Sequence, residues 1–437
     1  MKSLVSRGKY NSILKRSMPI TIVFFFFNSF LLPGGLLYTT LLTPYFIFWI
    51  FKQGRSIVKI IMIWATIALP LLVFHYFYGI SLSDYITSSI LYFTCVIFSI
   101  SFYLFLKKNG FVLGGIMDRI VKLNFIFVII AILSLLVVKE NNFLWYTNEI
   151  TELIGSSRLK LFTTESSAYG TMLIPLIIYY FQFYFYSNLT SRRLFYLSSL
   201  ILSLVLSLSY GNIGGLLVSI VLFILINLGT SLRFRYNFKL IFFSLIFLVL
   251  SVFLALGPLK NTGVVIRALN IMEGKDTSAN GRSVESYMLA KQVIDMKNPW
   301  IGIGPGQFKI LGKEVVNNYY DYSFDDERAQ SAPVRIPSAV ADMLAVFGYL
   351  GVLSKLIAEI FFFIKLKVVH NSYSLCLFIF MFVFQFLGSN TTNVVEYFIW
   401  ILIFVKVFPD SYFKKNKKLN DSPNNISIEQ NRGYVKN

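Results

Sequence analysis

Long apolar stretches separated by short polar connections make up most of the chain, from residues 20–32 near its start to residues 375–387 near its end. Several of these stretches reach the roughly 20 apolar residues that a helix needs to cross a hydrocarbon layer about 30 Å thick. A spanning segment satisfies its backbone in a helix or in a closed barrel, and barrel strands alternate apolar and polar residues, which these stretches do not. The pattern therefore predicts an all-α fold, a polytopic membrane helical bundle of about twelve transmembrane helices.

Short turns separate most of the predicted helices, with Pro33-Gly34-Gly35 and Gly211-Asn212 as breakers. The first two helices are also compatible with a single broken span. The predicted helices cover residues 18–32, 36–51, 58–78, 84–106, 121–138, 166–186, 194–208, 214–229, 239–256, 338–363, 373–387 and 394–408.

The composition excludes a soluble protein. Hydrophobic residues make up 56% of the 437 residues and charged residues 14%, whereas about a quarter of a soluble domain is charged. The net charge of +19 would suit a nucleic-acid-binding protein only if the basic residues clustered on one soluble domain. They are instead spread over alternate connections between helices. We therefore expect the lipid bilayer as a partner and no nucleic acid.

The basic residues indicate the topology. Connections around Lys52, Lys107, Arg192 and Lys365 are basic, whereas the opposite short connections contain no Lys or Arg. Because basic loops stay on the cytoplasmic side, we expect a multi-pass protein of the bacterial inner membrane with both termini in the cytoplasm. The charge-free connections are residues 33–35, 79–83, 209–213 and 388–393.

Two long polar segments, residues 139–165 and 257–337, face outward in this topology. The second contains a predicted helix at 283–296, capped by Ser283, with Val284, Tyr287, Met288 and Ile294 on one side. We expect this loop to fold over the mouth of the bundle. The predicted units are an N-terminal transmembrane bundle (1–256), a large periplasmic loop (257–337), C-terminal transmembrane helices (338–408) and a disordered cytoplasmic tail (409–437).

Cysteine and histidine suggest no cofactor. Cys95 and Cys376 lie inside apolar stretches, where we expect buried free thiols; a disulfide would require that they meet in the bundle. His75 and His370 have no partner at metal-ligand spacing.

Arginines on the outward side are the first candidates for chemistry. Arg158, Arg282 and Arg335 lie in the two long loops, and a guanidinium group is a fork that matches phosphate oxygens. A lipid diphosphate is therefore a predicted ligand. Pairing with local acids such as Glu285 is the alternative interpretation.

Carboxylates near helix ends are the second candidates. Glu165 lies where a predicted helix begins, and Asp342 lies early in the helix that follows the large loop. Each suits a general base or a partner for an arginine, although a carboxylate at a helix N-terminus also has a structural explanation. Lys355 and Glu359 are four residues apart, so we expect them to pair.

Three strings together resemble the O-antigen polymerase and ligase superfamily, and within it the Wzy-type polymerases. Arg158 followed by Thr164-Glu165-Ser166-Ser167 resembles the family's region that enters a span. Asn280-Gly281-Arg282, followed by a helix and Pro299-Trp300-Ile301-Gly302-Ile303-Gly304-Pro305-Gly306-Gln307-Phe308, is similar to the family's glycine-rich periplasmic stretch. Ser207-Leu208-Ser209-Tyr210-Gly211 resembles its Ser-rich turn. The resemblance covers about residues 150–395.

The resemblance implies a GT-C-like membrane glycosyltransferase that uses no metal. It would transfer a growing glycan from undecaprenyl diphosphate to a hydroxyl of the next lipid-linked unit. The three arginines would bind the diphosphate, and Glu165 or Asp342 would be catalytic. Gly302, Gly304, Gly306 and Trp300 would shape the loop and contact the glycan. A chain-length regulator is a further candidate partner.

One departure separates the two branches of the family. The ligase branch carries a His where the long loop re-enters the membrane, whereas this chain has Ile336-Pro337-Ser338-Ala339-Val340-Ala341-Asp342 there. This favours a polymerase and leaves the base unassigned. An O-antigen ligase-type transferase and a lipid-linked oligosaccharide flippase or other transporter remain the alternatives.

Overall fold

The structure is a computed structural model of the chain. It describes residues 7–30, 36–52, 55–137, 143–146, 157–186, 190–228, 269–270, 273–274, 277–320, 336–389, 391–410 and 412.

Helices make up nearly all of the described part of the chain. The helices are α1 (Arg7–Phe27), α2 (Thr43–Phe51), α3 (Arg55–Tyr78), α4 (Leu82–Asn109), α5 (Leu113–Val137), α6 (Ser166–Tyr186), α7 (Ser191–Leu206), α8 (Tyr210–Leu228), α9 (Thr277–Arg282), α10 (Val284–Asp295), α11 (Phe308–Tyr320), α12 (Ala339–Lys365), α13 (Ser372–Phe384) and α14 (Val394–Val405). A two-residue hairpin pairs β1 (Trp145–Tyr146) antiparallel to β2 (Arg158–Leu159).

Within the described residues, three helical stretches are long and apolar enough to cross a membrane, namely Leu82–Leu135, Ser166–Tyr186 and Ala339–Lys365. The first contains α4 and α5, which a 3₁₀ turn at Gly110–Val112 joins. Several shorter apolar helices accompany them, including α13 and α14. The chain is therefore built as a helical membrane protein would be.

Most predicted helices coincide with observed ones to within a few residues, and α6 matches residues 166–186 at both ends. The predicted helix at 239–256 and the breaker Pro33-Gly34-Gly35 lie outside the described residues. The prediction for the first helix was wrong at its start, because α1 begins at Arg7 and carries its basic residues within the helix.

Three further boundaries differ from the prediction. Helix α5 begins at Leu113 and not at residue 121. Helix α2 has 9 residues, a length of about 14 Å that does not cross a bilayer. Gly211-Asn212 lies in the first turn of α8 and breaks nothing. The chain instead turns before it, where Leu208 has a φ of 47°.

The core of the bundle lies around α13 and α6. Tyr373, Cys376 and Phe380 of α13 are fully buried, and α13 packs against α8, α14 and α6. Cys95 and Cys376 are both buried and free, which confirms the prediction for the thiols.

Hydrogen bonds between connections show which helix ends lie together. Asn212 donates to the Ser167 carbonyl oxygen at 2.8 Å, and the Val340 backbone N–H donates to the Gln385 carbonyl oxygen at 3.2 Å. Gln307 accepts from the Ser81 backbone N–H at 2.9 Å. The Thr391 backbone N–H, shortly before α14, donates to Asp342 of α12 at 3.4 Å. Helices α4, α6, α8, α12 and α14 therefore begin at one end of the bundle, which we call the loop end because α10 and α11 lie there.

The opposite end of the bundle holds the start of the C-terminal segment. The Ser372 backbone N–H donates to Asp410 at 3.0 Å, and the hydroxyl groups of Tyr179 and Tyr412 are 3.0 Å apart. Residues 409, 410 and 412, which we assigned to the tail, thus contact the bundle. Residues 413–437 lie outside the described part.

Candidate functional site at the loop end

Helix α12 is interrupted at Gly348, whose φ is 65° and ψ −165°. A break in a helix leaves backbone groups without their usual partners, and in a membrane such groups need replacements. Residues 299–307, which we call the glycine segment, supply them. The N–H groups of Ile303 and Gly304 donate to the carbonyl oxygens of Ala345 and Val346 at 3.0 and 2.9 Å.

The second half of α12 is bound in the same way. The N–H groups of Tyr349 and Leu350 donate to the carbonyl oxygens of Pro299 and Trp300 at 2.9 and 3.1 Å. The glycine segment therefore forms backbone hydrogen bonds with α12 on both sides of Gly348.

The glycines of this segment are required by close packing against protein. Gly302, Gly304 and Gly306 have φ values of 81°, 91° and 76°, which only glycine adopts readily. A Cβ on Gly302 would lie 2.6 Å from the Gly348 nitrogen, and one on Gly304 would lie 3.0 Å from the His75 ring. These contacts account for the three glycines without a ligand, and glycan contact at these positions stays a prediction.

Two side chains tie the glycine segment to α3 and α4. Gln307 is buried and accepts from the backbone N–H groups of Ile80 and Ser81 at 2.7 and 2.9 Å, while its amide group donates to the Ser81 carbonyl oxygen at 2.9 Å. His75 donates from Nε2 to the Ile301 carbonyl oxygen at 3.2 Å. Sequence reasoning missed both residues, because each acts on a partner more than 200 residues away.

Trp300 lies at the edge of the glycine segment. Its side chain is 62% exposed, and its ring packs against that of Tyr349 with 6.0 Å between centroids. The predicted contact between Trp300 and a glycan stays a prediction.

The predicted helix at 283–296 is present as α10, but Ser283 is not its cap, and of the residues predicted to share one side Ile294 is buried whereas Val284 and Met288 are exposed. Ser283 does not cap it; its hydroxyl donates to the Ala279 carbonyl oxygen of α9 at 3.0 Å. Val284 and Met288 are 63% and 48% exposed. The buried side consists of Ser286, Leu289, Ala290, Val293 and Ile294.

Tyr287 fastens α10 to the bundle. Its hydroxyl donates to the Phe386 carbonyl oxygen at 3.2 Å and accepts from Ser338 at 3.3 Å. Burial raises the pKa of the Tyr287 phenol above its usual value, and the hydrogen bond from Ser338 opposes that rise. Helix α10 also packs along α12, so the part of the large loop that carries Arg282 lies against α12.

Arg282 is the last residue of α9, directly before this fastened helix. It is half-buried, and its guanidinium group has no hydrogen-bond or ion-pair partner among the described residues. A partly desolvated guanidinium without a partner is a ready binding group for an anion.

Arg158 lies on β2, opposite Tyr146. It is half-buried, and its Nε donates to the Ser207 carbonyl oxygen of the Ser-rich turn at 3.3 Å. Asn212 joins the same turn to the start of α6 through Ser167. Two of the strings that carry the resemblance, around Arg158 and around Ser207, are therefore neighbours in space.

Glu165 directly precedes α6, as predicted. Its carboxylate is exposed and accepts one hydrogen bond, from the Ser167 hydroxyl at 3.0 Å. It stands at a helix N-terminus, where the helix dipole favours an anion.

Asp342 lies in the first turn of α12, as predicted, and accepts from the hydroxyl of Thr391 and from its backbone N–H. The Thr391 hydroxyl has one proton, which it donates to Asp342, so Tyr92 must donate its own proton to Thr391, 2.7 Å away. The hydrogen bonds thus run in one direction, from Tyr92 through Thr391 to the carboxylate.

Lys355 and Glu359 pair at 2.9 Å, which confirms that prediction, and Glu396 of α14 joins them. Lys355 and Glu396 are 2.7 Å apart, with side chains 13% and 3% exposed. Gln385 donates to Glu359 at 2.8 Å and Ser389 donates to Glu396 at 2.9 Å. We call Lys355, Glu359 and Glu396 the charged triad.

Arg335 and the acids at 325–327 lie outside the described residues. In the part of the chain that the structure describes, no three His, Cys, Asp or Glu side chains are close enough to hold a metal ion.

The structure thus arranges the candidate residues in two groups at the loop end. Arg158 and Glu165 lie around the Ser-rich turn. Asp342 lies on α12, the helix that the glycine segment contacts. The end of α13 contacts both groups. A Cβ on Gly211 would lie 3.6 Å from the Phe384 ring, and the Val340 N–H of α12 donates to the Gln385 carbonyl oxygen at 3.2 Å.

No protein-family model matches the chain. A comparison with curated proteins likewise gives no significant match.

Proposed function

We propose that the chain is a membrane glycosyltransferase that polymerises lipid-linked oligosaccharide repeat units. It would transfer the growing glycan from undecaprenyl diphosphate to a hydroxyl of the next lipid-linked unit. The observation that carries the proposal is Arg282, a half-buried guanidinium without a partner among the described residues, held at the loop end by α10.

The leaving group of this reaction is a diphosphate, so negative charge develops on its oxygens. Fixed cations that meet this charge lower the barrier. Arg282 is the first candidate for this role and Arg158 the second, since its Nε is already bonded to Ser207. Arg335 stays in the proposal on its sequence position alone.

The acceptor hydroxyl must give up its proton. Asp342 and Glu165 are the proposed bases. Asp342 is oriented by Thr391, whereas Glu165 is exposed and makes a single hydrogen bond to Ser167. Orientation favours Asp342, because a positioned base is more effective than a mobile one.

The distribution of charges supports the proposed location. Basic residues such as Lys107, Lys365 and Lys406 lie at the end opposite the loop end. By the positive-inside rule that end faces the cytoplasm, and the loop end faces the periplasm. The proposed architecture is a GT-C-like bundle of about twelve spans in the inner membrane, without a metal as the resemblance implies, and with a chain-length regulator as a further proposed partner.

The experiment that tests the proposal is a surface-polysaccharide gel from a strain that lacks this chain. A band with a single repeat in place of the long ladder is the expected result. Loss of polymer from its final lipid anchor, with lipid-linked polymer accumulating outside, would identify a ligase-type transferase instead. A wild-type ladder would contradict both.

A flippase for lipid-linked oligosaccharides is a second candidate function, favoured by the charged triad. Ionisable groups inside a membrane are costly, and they often serve transport. Glu359 and Glu396 are buried, the Lys355 side chain is 13% exposed, and all three lie within α12 and α14. Accumulation of single repeats on the cytoplasmic leaflet of the deletion strain would identify this activity.

A further inference from the structure

The outer surface of α12 is suited to lipid after the break at Gly348. Its exposed residues on this surface are Tyr349, Leu350, Leu353, Ile357, Ile360, Phe361 and Ile364. The helix rises about 24 Å from Tyr349 to Lys365, close to the roughly 30 Å of a hydrocarbon core. This surface therefore has the composition and the length of a lipid-facing helix.

Each end of that surface carries residues typical of a membrane boundary. Lys365 and Lys367 stand at one end, and Lys365 Nζ lies 4.9 Å from the centre of the Phe361 ring. Tyr349 stands at the other end, at the loop end of the bundle. Tyrosine and tryptophan concentrate at the level of the lipid headgroups, since their rings are apolar with one polar group.

Trp300 is held at the same level as Tyr349. The Leu350 N–H donates to the Trp300 carbonyl oxygen at 3.1 Å, and the Trp300 and Tyr349 rings are in edge contact. The exposed indole of the loop and the phenol of α12 thus lie together, at the end of the apolar surface of α12.

We propose that Trp300 and Tyr349 form a membrane-interface anchor that seats the large loop on the lipid headgroup region. Continuity with the exposed surface of α12 carries the proposal. The anchor fixes the depth of the glycine segment and of α10 relative to the bilayer, so it determines how far Arg282 stands above the lipid phosphates. The anchor does not depend on the proposed enzymatic activity.

The experiment measures tryptophan emission from the full-length chain in vesicles of phosphatidylethanolamine and phosphatidylglycerol. One set of lipids carries bromine near the headgroup and another set carries it near the chain end. The difference between wild type and Trp300→Phe gives the emission of Trp300. Trp145→Phe is the matched control, because Trp145 is buried and its indole donates to the Ala131 carbonyl oxygen at 2.9 Å.

We expect shallow bromine to quench the Trp300 emission several-fold more than deep bromine, and aqueous iodide to quench it little. The Trp145 emission should respond weakly to all three quenchers. Strong quenching by iodide with none by bromine would overturn the anchor and leave Trp300 free for a soluble ligand such as a glycan. Stronger quenching by deep bromine would overturn it as well. Trp300→Tyr, which keeps an interfacial ring, replaces Trp300→Phe if that variant does not fold.

Discussion

Gly302 and Gly348 meet so closely that neither position has room for a side chain. A Cβ on Gly302 would lie 2.6 Å from the Gly348 nitrogen, and a Cβ on Gly348 would lie 2.6 Å from the Ile301 nitrogen. Both have positive φ angles. The junction between the large loop and the broken helix α12 therefore depends on two glycines that are 46 residues apart in their numbering.

Gly302→Ala is expected to destabilise the protein by about 2–5 kcal/mol, since it combines the cost of a positive φ with overpacking against backbone. Gly348→Ala should behave in the same way. The measurement is thermal unfolding of the purified protein in detergent.

Gly214→Ala is the matched control for both variants. Gly214 lies in α8 and has nothing within 4 Å of a Cβ, so alanine there should be neutral or stabilising by up to about 1 kcal/mol. Equal unfolding temperatures for Gly302→Ala and Gly214→Ala would contradict the close junction.

Arg282→Gln is expected to lower the yield of long polymer by about 10²–10³-fold at unchanged protein abundance, the usual loss for one donor to a developing oxyanion. Arg282→Lys should restore little of it, because a lysine keeps the charge and loses the fork. The measurement is the polysaccharide gel with the protein quantified from the same membranes.

Lys313→Ala is the control for Arg282, since Lys313 is an exposed cation of the same loop. Its polymer should match wild type. Wild-type chain lengths in Arg282→Gln would remove Arg282 from the proposed site.

Lys355→Met should destabilise the bundle by about 3–5 kcal/mol, because it leaves Glu359 and Glu396 buried without their cation. Glu396→Gln alone should cost less, since Lys355 keeps Glu359. Thermal unfolding of the single variants and of Lys355→Met combined with Glu396→Gln measures the coupling. A strictly additive double variant would show that the 2.7 Å pair contributes nothing.

The raised pKa of Tyr287 predicts a loss of stability at alkaline pH. Its folded-state pKa is raised above 10.0 by burial, so the native state holds the phenol proton more tightly than the unfolded state does. The contribution is fully present below pH 10.0 and is lost as the pH rises from there through the folded-state pKa.

Tyr287→Phe should therefore flatten the alkaline limb of the stability curve relative to wild type. The measurement is the difference in unfolding temperature between the two proteins across that pH range. Parallel curves would show that Tyr287 does not titrate differently on folding.

The start of α14 shows why sequence located most helices well. An apolar stretch begins at Val394, and the Asn393 side chain caps it by accepting from the Val395 N–H at 3.0 Å. Both signals are local. A segment that lies in lipid has no alternative to helix, so composition and one capping residue suffice to predict its start.

The side of α10 that packs against the protein was not predictable in the same way. The sequence predicts Val284, Met288 and Ile294 on one side of α10, but the helix packs on α12 through Leu289 and Val293. The partner surface and an adjoining membrane interface both attract apolar residues, and α10 has apolar residues on both sides. Periodicity alone does not identify which side faces protein.

The candidate site was partly predictable. Arg158 and Glu165 could be selected because cations and acids at helix ends are conspicuous in so apolar a chain. The roles of His75 and Gln307 could not, since each depends on a backbone group of a distant segment. Nothing local to either residue indicates its partner.

The hydrogen bond between His75 and the Ile301 carbonyl oxygen spans 226 residues of sequence, which has a consequence for biogenesis. At ribosomal rates of about 5–20 residues per second, α3 waits roughly 10–45 s for the glycine segment to be synthesised. During that interval His75 lacks its native partner. The contact between α3 and the glycine segment therefore forms late in the synthesis of the chain.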